Sequence, residues 1–81
     1  MDDRSAVPLD TRGLRCPLPV LKARKALKEV APGGLLRVLA TDPGAAKDFV
    51  HFCAATGCEL VESSESADGV LGFLIRKPDG A

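Results

Sequence analysis

Apolar residues recur at helical spacing in two stretches of the chain and gather into short runs elsewhere. In the first stretch Val20, Ala23, Leu27 and Val30 return every three or four positions, and Leu21 and Ala31 widen the stripe. This predicts helix 1 from about Pro17 to Ala31, with Lys22, Lys25 and Glu29 facing outward and Arg24 and Lys28 flanking them. Pro32-Gly33-Gly34 stops it. The second stretch follows Asp42-Pro43-Gly44, where Asp42 suits an N-cap and Pro43 a first helical position. Helix 2 then runs to about Thr56, with Ala46, Phe49, Val50 and Cys53 on one face and Gly57 as its C-cap. Val7-Pro8-Leu9, Leu35 to Thr41, Cys58 to Glu65 and Gly69 to Lys77 read as strands. Ser66-Ala67-Asp68-Gly69 carries the Asp-Gly signal of a hairpin turn between the last two.

The order βαβαββ predicts an α/β two-layer sandwich: a mixed four-stranded sheet with two helices packed on one face. Right-handed crossovers and a terminal antiparallel hairpin are expected. The last strand is apolar on both faces, and Leu35 and Leu39 add to this in the second. The expectation is an exposed apolar patch on the open sheet face, a surface for a partner or a second copy, unless loops or termini cover it.

Length bounds the architecture to a single domain over residues 1–81, with an ordered core of about 7–77. A composition of 46% hydrophobic and 27% charged residues excludes disordered and collagen-like chains. No apolar run nears the roughly 20 residues of a membrane span. Met1-Asp2-Asp3-Arg4-Ser5 lacks the signals of a secretory leader, so the cytoplasm is the expected compartment. Three cysteines argue against a disulfide-stapled secreted scaffold.

Charge sharpens the picture. Eleven basic residues balance eleven acidic ones, yet Arg12, Arg15, Lys22, Arg24, Lys25 and Lys28 form a stretch with no acid. Such a basic face docks an acidic surface, protein or nucleic acid, or is simply a solvated helix face.

The chemistry centres on Cys16, in Gly13-Leu14-Arg15-Cys16-Pro17-Leu18-Pro19 at the start of helix 1. A helix N-terminus and a neighbouring Arg15 both favour a thiolate. Pro17 and Pro19 stiffen its mounting where missing N–H groups cost little. No general base lies near in sequence, and His51, in mid-helix 2, completes no catalytic set. There is no Cys-x-x-Cys. A lone reactive thiol on a small rigid body suits a carrier, and a persulfide is a reversible cap on it. Cys53 falls on the helix 2 stripe and Cys58 opens a strand, so both read as core; their spacing with His51 is not that of a standard zinc site. Asp42 and Asp48 read as a cap and a first-turn acid rather than a catalytic pair, and Gly33-Gly34 is not a phosphate loop.

Leu9-Asp10, Cys16-Pro17-Leu18-Pro19, Asp42-Pro43-Gly44-Ala45, Phe52-Cys53 and Thr56-Gly57 together resemble the TusA-like (SirA-like) sulfur carrier family. The resemblance spans roughly Val7 to Lys77, and its most specific part is the Cys-Pro-x-Pro motif. It implies a βαβαββ fold and a carrier that takes sulfane sulfur as a persulfide on Cys16, supported by Arg15, Pro17 and Pro19. It also implies a cysteine desulfurase or rhodanese as donor and a DsrE-like or other relay protein as acceptor. The pathways served include tRNA thiolation, molybdenum-cofactor biosynthesis and sulfur oxidation. On this reading the protein is a relay carrier rather than a self-contained enzyme. It uses no cofactor and no metal, contacts neither membrane nor nucleic acid directly, and docks through Arg12, Lys22, Arg24, Lys25 and Lys28. The rival expectations are a thiol redox sensor pairing Cys16 with Cys53 or Cys58, and a regulatory or nucleic-acid-binding module using the basic helix.

Overall fold

Six elements form in the order that the periodicity predicts: β1 (Val7–Thr11), α1 (Leu18–Leu27), β2 (Leu35–Ala40), α2 (Ala45–Thr56), β3 (Glu59–Glu65) and β4 (Leu71–Arg76). The computed structural model describes residues 6–79; the pentapeptide Met1–Ser5, read above for leader signals, lies outside them. The sheet order is β1-β2-β4-β3. β1 runs parallel to β2, whereas β4 is antiparallel to both β2 and β3. The sheet is therefore mixed and four-stranded, as expected.

Strand alternation builds the core. Leu36, Val38 and Ala40 of β2 share a face with Phe73 and Ile75 of β4, and that face packs against Ala23 and Leu27 of α1 and Phe49, Phe52 and Cys53 of α2. The phase of each helix differs slightly from its sequence reading. In α1 the buried stripe is Pro19, Ala23 and Leu27, a spacing of four, which leaves Leu21 51% exposed. In α2 it is Ala45, Phe49, Phe52 and Cys53, so Val50 turns outward, 54% exposed. Gly57 ends α2 at φ +79°, the left-handed conformation in which a glycine carries no Cβ penalty.

α1 ends at Leu27 rather than near Ala31. Three successive i→i−3 bonds tighten the chain there: Lys28 N–H to Lys25, Glu29 N–H to Ala26 and Val30 N–H to Leu27. The ammonium of Lys77 donates to the Leu27 and Val30 carbonyls at 2.8 Å each. It thus places a cation at the negative end of the helix and gives its terminal carbonyls a charged donor. Lys77→Met is expected to cost about 1–2 kcal/mol, read as a lower urea midpoint at unchanged slope.

The apolar patch expected on the open sheet face does not form. Leu35 and Leu74 lie on that face but are only 2% and 5% exposed. Arg37 and Arg76 alternate with them and pair with Glu62 at 3.2 Å and Glu59 at 3.1 Å. Leu39, the third leucine of that face, is half-buried, so the face carries charged pairs beside largely buried leucines. Among the described residues no helix is long and apolar enough to cross a membrane.

Candidate functional site

Because β1 and β2 are parallel neighbours, the loops that follow them leave the same edge of the sheet. Hydrogen bonds join the two. The Thr11 hydroxyl, fully buried, donates to the Leu39 carbonyl, and the Gly13 N–H donates to Thr41 Oγ1 at 2.9 Å. The Cys16 N–H donates to Asp42 Oδ2 at 2.9 Å, and Asp42 Oδ1 accepts the Gly44 N–H at 2.7 Å. Asp42 is therefore a clamp between loops rather than the N-cap of α2; Gly44 holds that position without a side-chain cap. The two N–H donors hold its carboxyl below the usual carboxylate range.

Cys16 sits exposed on this pinned loop, one residue before the N-cap Pro17, and the Cys16–Pro17 peptide is cis. Pro17 is exposed and Pro19 fully buried, so the second proline anchors the motif to the core.

The electrostatics of the thiol reverse the sequence expectation. The Cys16 thiol hydrogen bonds to Asp48 Oδ2, in the first turn of α2. That bond, followed by desolvation and the charges of Asp48 and Asp42, pushes the thiol up to about 11. Part of the usual donor set of a helix N-terminus is missing here. The Leu18 N–H is donated to the Arg15 carbonyl at 2.8 Å, and the prolines at 17 and 19 have no N–H. Arg15 acts on the Asp42 carboxylate, lowering it.

A shallow groove of about 380 Å³ opens beside the thiol between the two helices. Cys16, Pro17, Val20 and Arg24 line one side; Asp48, His51, Phe52 and Ala55 line the other. The Arg24 guanidinium stands 5.5 Å above the Phe52 ring, a cation–π contact that fixes a positive charge on the groove wall. A second depression, of about 280 Å³, continues past Arg24 and Phe52 towards Lys28, Cys58, Lys77 and Pro78. Asp42, Asp48 and His51 are the residues beside the thiol to which the sequence pattern gave other roles.

The residues expected to dock a partner separate into three positions. Arg24 and Lys28 border the depressions. Lys22 and Lys25 are exposed elsewhere on α1. Arg12 lies in the β1–α1 turn, engaged with Asp10 through Nε at 2.9 Å and Nη2 at 2.8 Å; these bonds hold the Asp10 carboxyl at about 2. Cys53 is buried in the core, which pushes its thiol up to about 11, and Cys58 is half-buried against that core.

Residues 8–77 match the family described as Sulfurtransferase TusA. The chain is 52% identical over 69 residues to the sulfur carrier protein TusA of Allochromatium vinosum, covering 85% of this chain and 90% of that one. It is 45% identical over 71 residues to the sulfur carrier protein TusA of Pseudomonas aeruginosa, covering 88% and 90%. A crystal structure of a SirA-like protein from Desulfitobacterium hafniense superposes with a TM-score of 0.78 at 27% identity, over 90% of this chain and 99% of that one.

Proposed function

The chain belongs to the TusA family of sulfur carriers, and on that premise we propose that its travelling sulfur rides on Cys16 as a persulfide. The observation that carries this reading is the placement of Cys16: an exposed thiol, on a loop clamped through its own N–H by Asp42, beside a groove between the helices. Cys53 is buried and Cys58 half-buried, so neither offers a comparable sulfur.

A sulfur carrier needs a donor and an acceptor. For this chain they are a cysteine desulfurase or rhodanese on one side and a DsrE-like or other relay protein on the other, in the cytoplasm. Cys16 Sγ attacks the terminal sulfur of the donor's persulfide. The new Sγ–S bond forms as the donor's S–S bond breaks, and the electron pair leaves on the donor thiolate. The proton released from Cys16 balances that thiolate, and the sulfane sulfur keeps its oxidation state. The reverse polarity, attack by an acceptor thiolate on the sulfur held at Cys16, unloads the carrier. This is relay chemistry on one atom; tRNA thiolation, molybdenum-cofactor biosynthesis and sulfur oxidation would all consume its product. Arg15, Pro17 and Pro19 shape the mounting of the thiol.

The test follows radiolabelled sulfur from cysteine, with a cysteine desulfurase, onto the full chain. Label that stays bound without reductant and leaves on addition of thiol is the expected result. Absence of label, with thiosulfate and a rhodanese equally ineffective, would contradict the proposal.

The exposed cations of α1 make docking electrostatic. Lys22→Glu with Lys25→Glu is expected to slow association with an acidic donor surface and flatten its salt dependence, measured by stopped-flow across ionic strength. An unchanged rate would assign those lysines to solvent alone.

A further inference from the structure

We propose that Asp48 restrains Cys16, holding the unloaded carrier as a hydrogen-bonded neutral thiol until a partner breaks the pair. The inference rests on Cys16 being the sulfur-bearing atom, and it concerns how that atom is kept quiet between encounters.

Three observations converge on it. The thiol hydrogen bonds to Asp48 Oδ2, although the residues stand 32 positions apart and on different elements. The Cys16 N–H, which elsewhere would favour a sulfur anion, is already held by Asp42 at 2.9 Å. The start of α1 offers the sulfur fewer donors than usual, since Leu18 N–H serves Arg15 and residue 19 is proline. The charged and titratable side chains around the thiol are thus two carboxylates, Asp42 and Asp48, against Arg15, Arg24 and His51. Arg15 acts on Asp42, and Arg24 stacks on Phe52. Asp48 is the carboxylate in contact with the sulfur.

A carboxylate in that position stabilises S–H by accepting its hydrogen and destabilises S⁻ by like charge. Since the thiolate is the nucleophile and the form open to oxidation, the same contact lowers both desired and stray reactivity. Loading weakens the restraint. In a persulfide the terminal sulfur lies about 2 Å beyond Sγ, so the charged atom is no longer the one that Asp48 holds. Asp48 sits on the groove wall beside Arg24 and His51, where a docking partner that brings a cation, or turns the carboxylate aside, frees the thiolate. Asp48 is thus a positioning residue that acts through Cys16.

The test is iodoacetamide alkylation of the full-length protein against pH, with each cysteine followed by peptide mass. It requires no sulfur donor, so its outcome is separate from that of the carrier reading. In the wild type the Cys16 rate should rise with pH towards a midpoint near 11. Asp48→Asn should lower that midpoint and raise the rate at pH 8 by about tenfold or more, one pKa unit being tenfold in thiolate. Asp48→Glu, which retains a carboxylate, should fall between the two. Cys53 and Cys58 serve as internal references and should keep their rates. A Cys16 rate unchanged in Asp48→Asn, or an equal acceleration at Cys58 that signals general loosening, would overturn the proposal. If Asp48→Asn does not fold, the wild-type profile and Asp48→Glu decide together: a wild-type midpoint in the ordinary thiol range, or one that does not move in Asp48→Glu, overturns it, and a raised midpoint that falls in Asp48→Glu upholds it.

Discussion

Cys16→Ser is expected to abolish sulfur transfer while leaving the fold unchanged. A serine oxygen cannot hold sulfane sulfur in a thiol-exchangeable bond, so the loss should be complete, down to the background of the donor alone. The fold should tolerate the change because residue 16 is exposed and its structural tie is the backbone N–H to Asp42, which serine retains. A hydroxyl can also donate to Asp48 in place of the thiol. Transfer is read with radiolabelled sulfur and stability from the urea midpoint. Residual transfer above background would move the carrier role to another cysteine, and a large drop in midpoint would give residue 16 a structural role.

Phe49→Ala should produce the largest loss of stability, about 3–5 kcal/mol, the range for truncating a buried phenylalanine. Phe49 is fully buried where α2 meets the sheet. Its ring stacks at a tilt on Phe73, with centroids 4.7 Å apart, and meets Phe52 edge-on at 6.4 Å. With no tryptophan or tyrosine and three phenylalanines in the chain, these rings are its whole aromatic core. A domain of this size is stabilised by only about 4–12 kcal/mol, so the variant should be partly unfolded at moderate urea. An unchanged denaturation midpoint would contradict the packing described here.

Much of this architecture is legible in the sequence because local rules dominate it. Gly and Pro punctuate every element boundary, and the two periodicities separate helix from strand, so the order βαβαββ follows directly. Helix phase is less legible. Val50 and Phe52 are both apolar, and only the packing of α2 on Phe73 and Ile75 decides that the phenylalanine turns in. The open sheet face misleads for a related reason. Leu35 and Leu74 read as an apolar patch, but the register sets Arg76 and Arg37 opposite them on the same face, and this pairing is invisible before the strand order is known.

The site divides in the same way. Cys-Pro-x-Pro singles out Cys16 as the candidate because the residues are contiguous. Asp42 and Asp48 meet Cys16 from 26 and 32 positions away, through a junction of two loops. One signal was available: if β1 and β2 are parallel neighbours, their following loops must meet at one sheet edge, which brings Asp42 beside the Cys16 loop. The polarity of the effect was not. A helix N-terminus suggests a lowered thiol pKa, whereas here prolines and an internal hydrogen bond remove some of the N–H donors and two carboxylates stand near the sulfur.

The central claim, that Cys16 bears the sulfur, is tested most directly by intact mass and peptide mapping of the wild-type protein. The protein is incubated with a cysteine desulfurase and cysteine in the absence of reductant. One added sulfur, confined to the peptide containing Cys16 and removed by thiol, is the predicted result. An added sulfur on the peptide containing Cys53 or Cys58, with Cys16 unmodified, would contradict it.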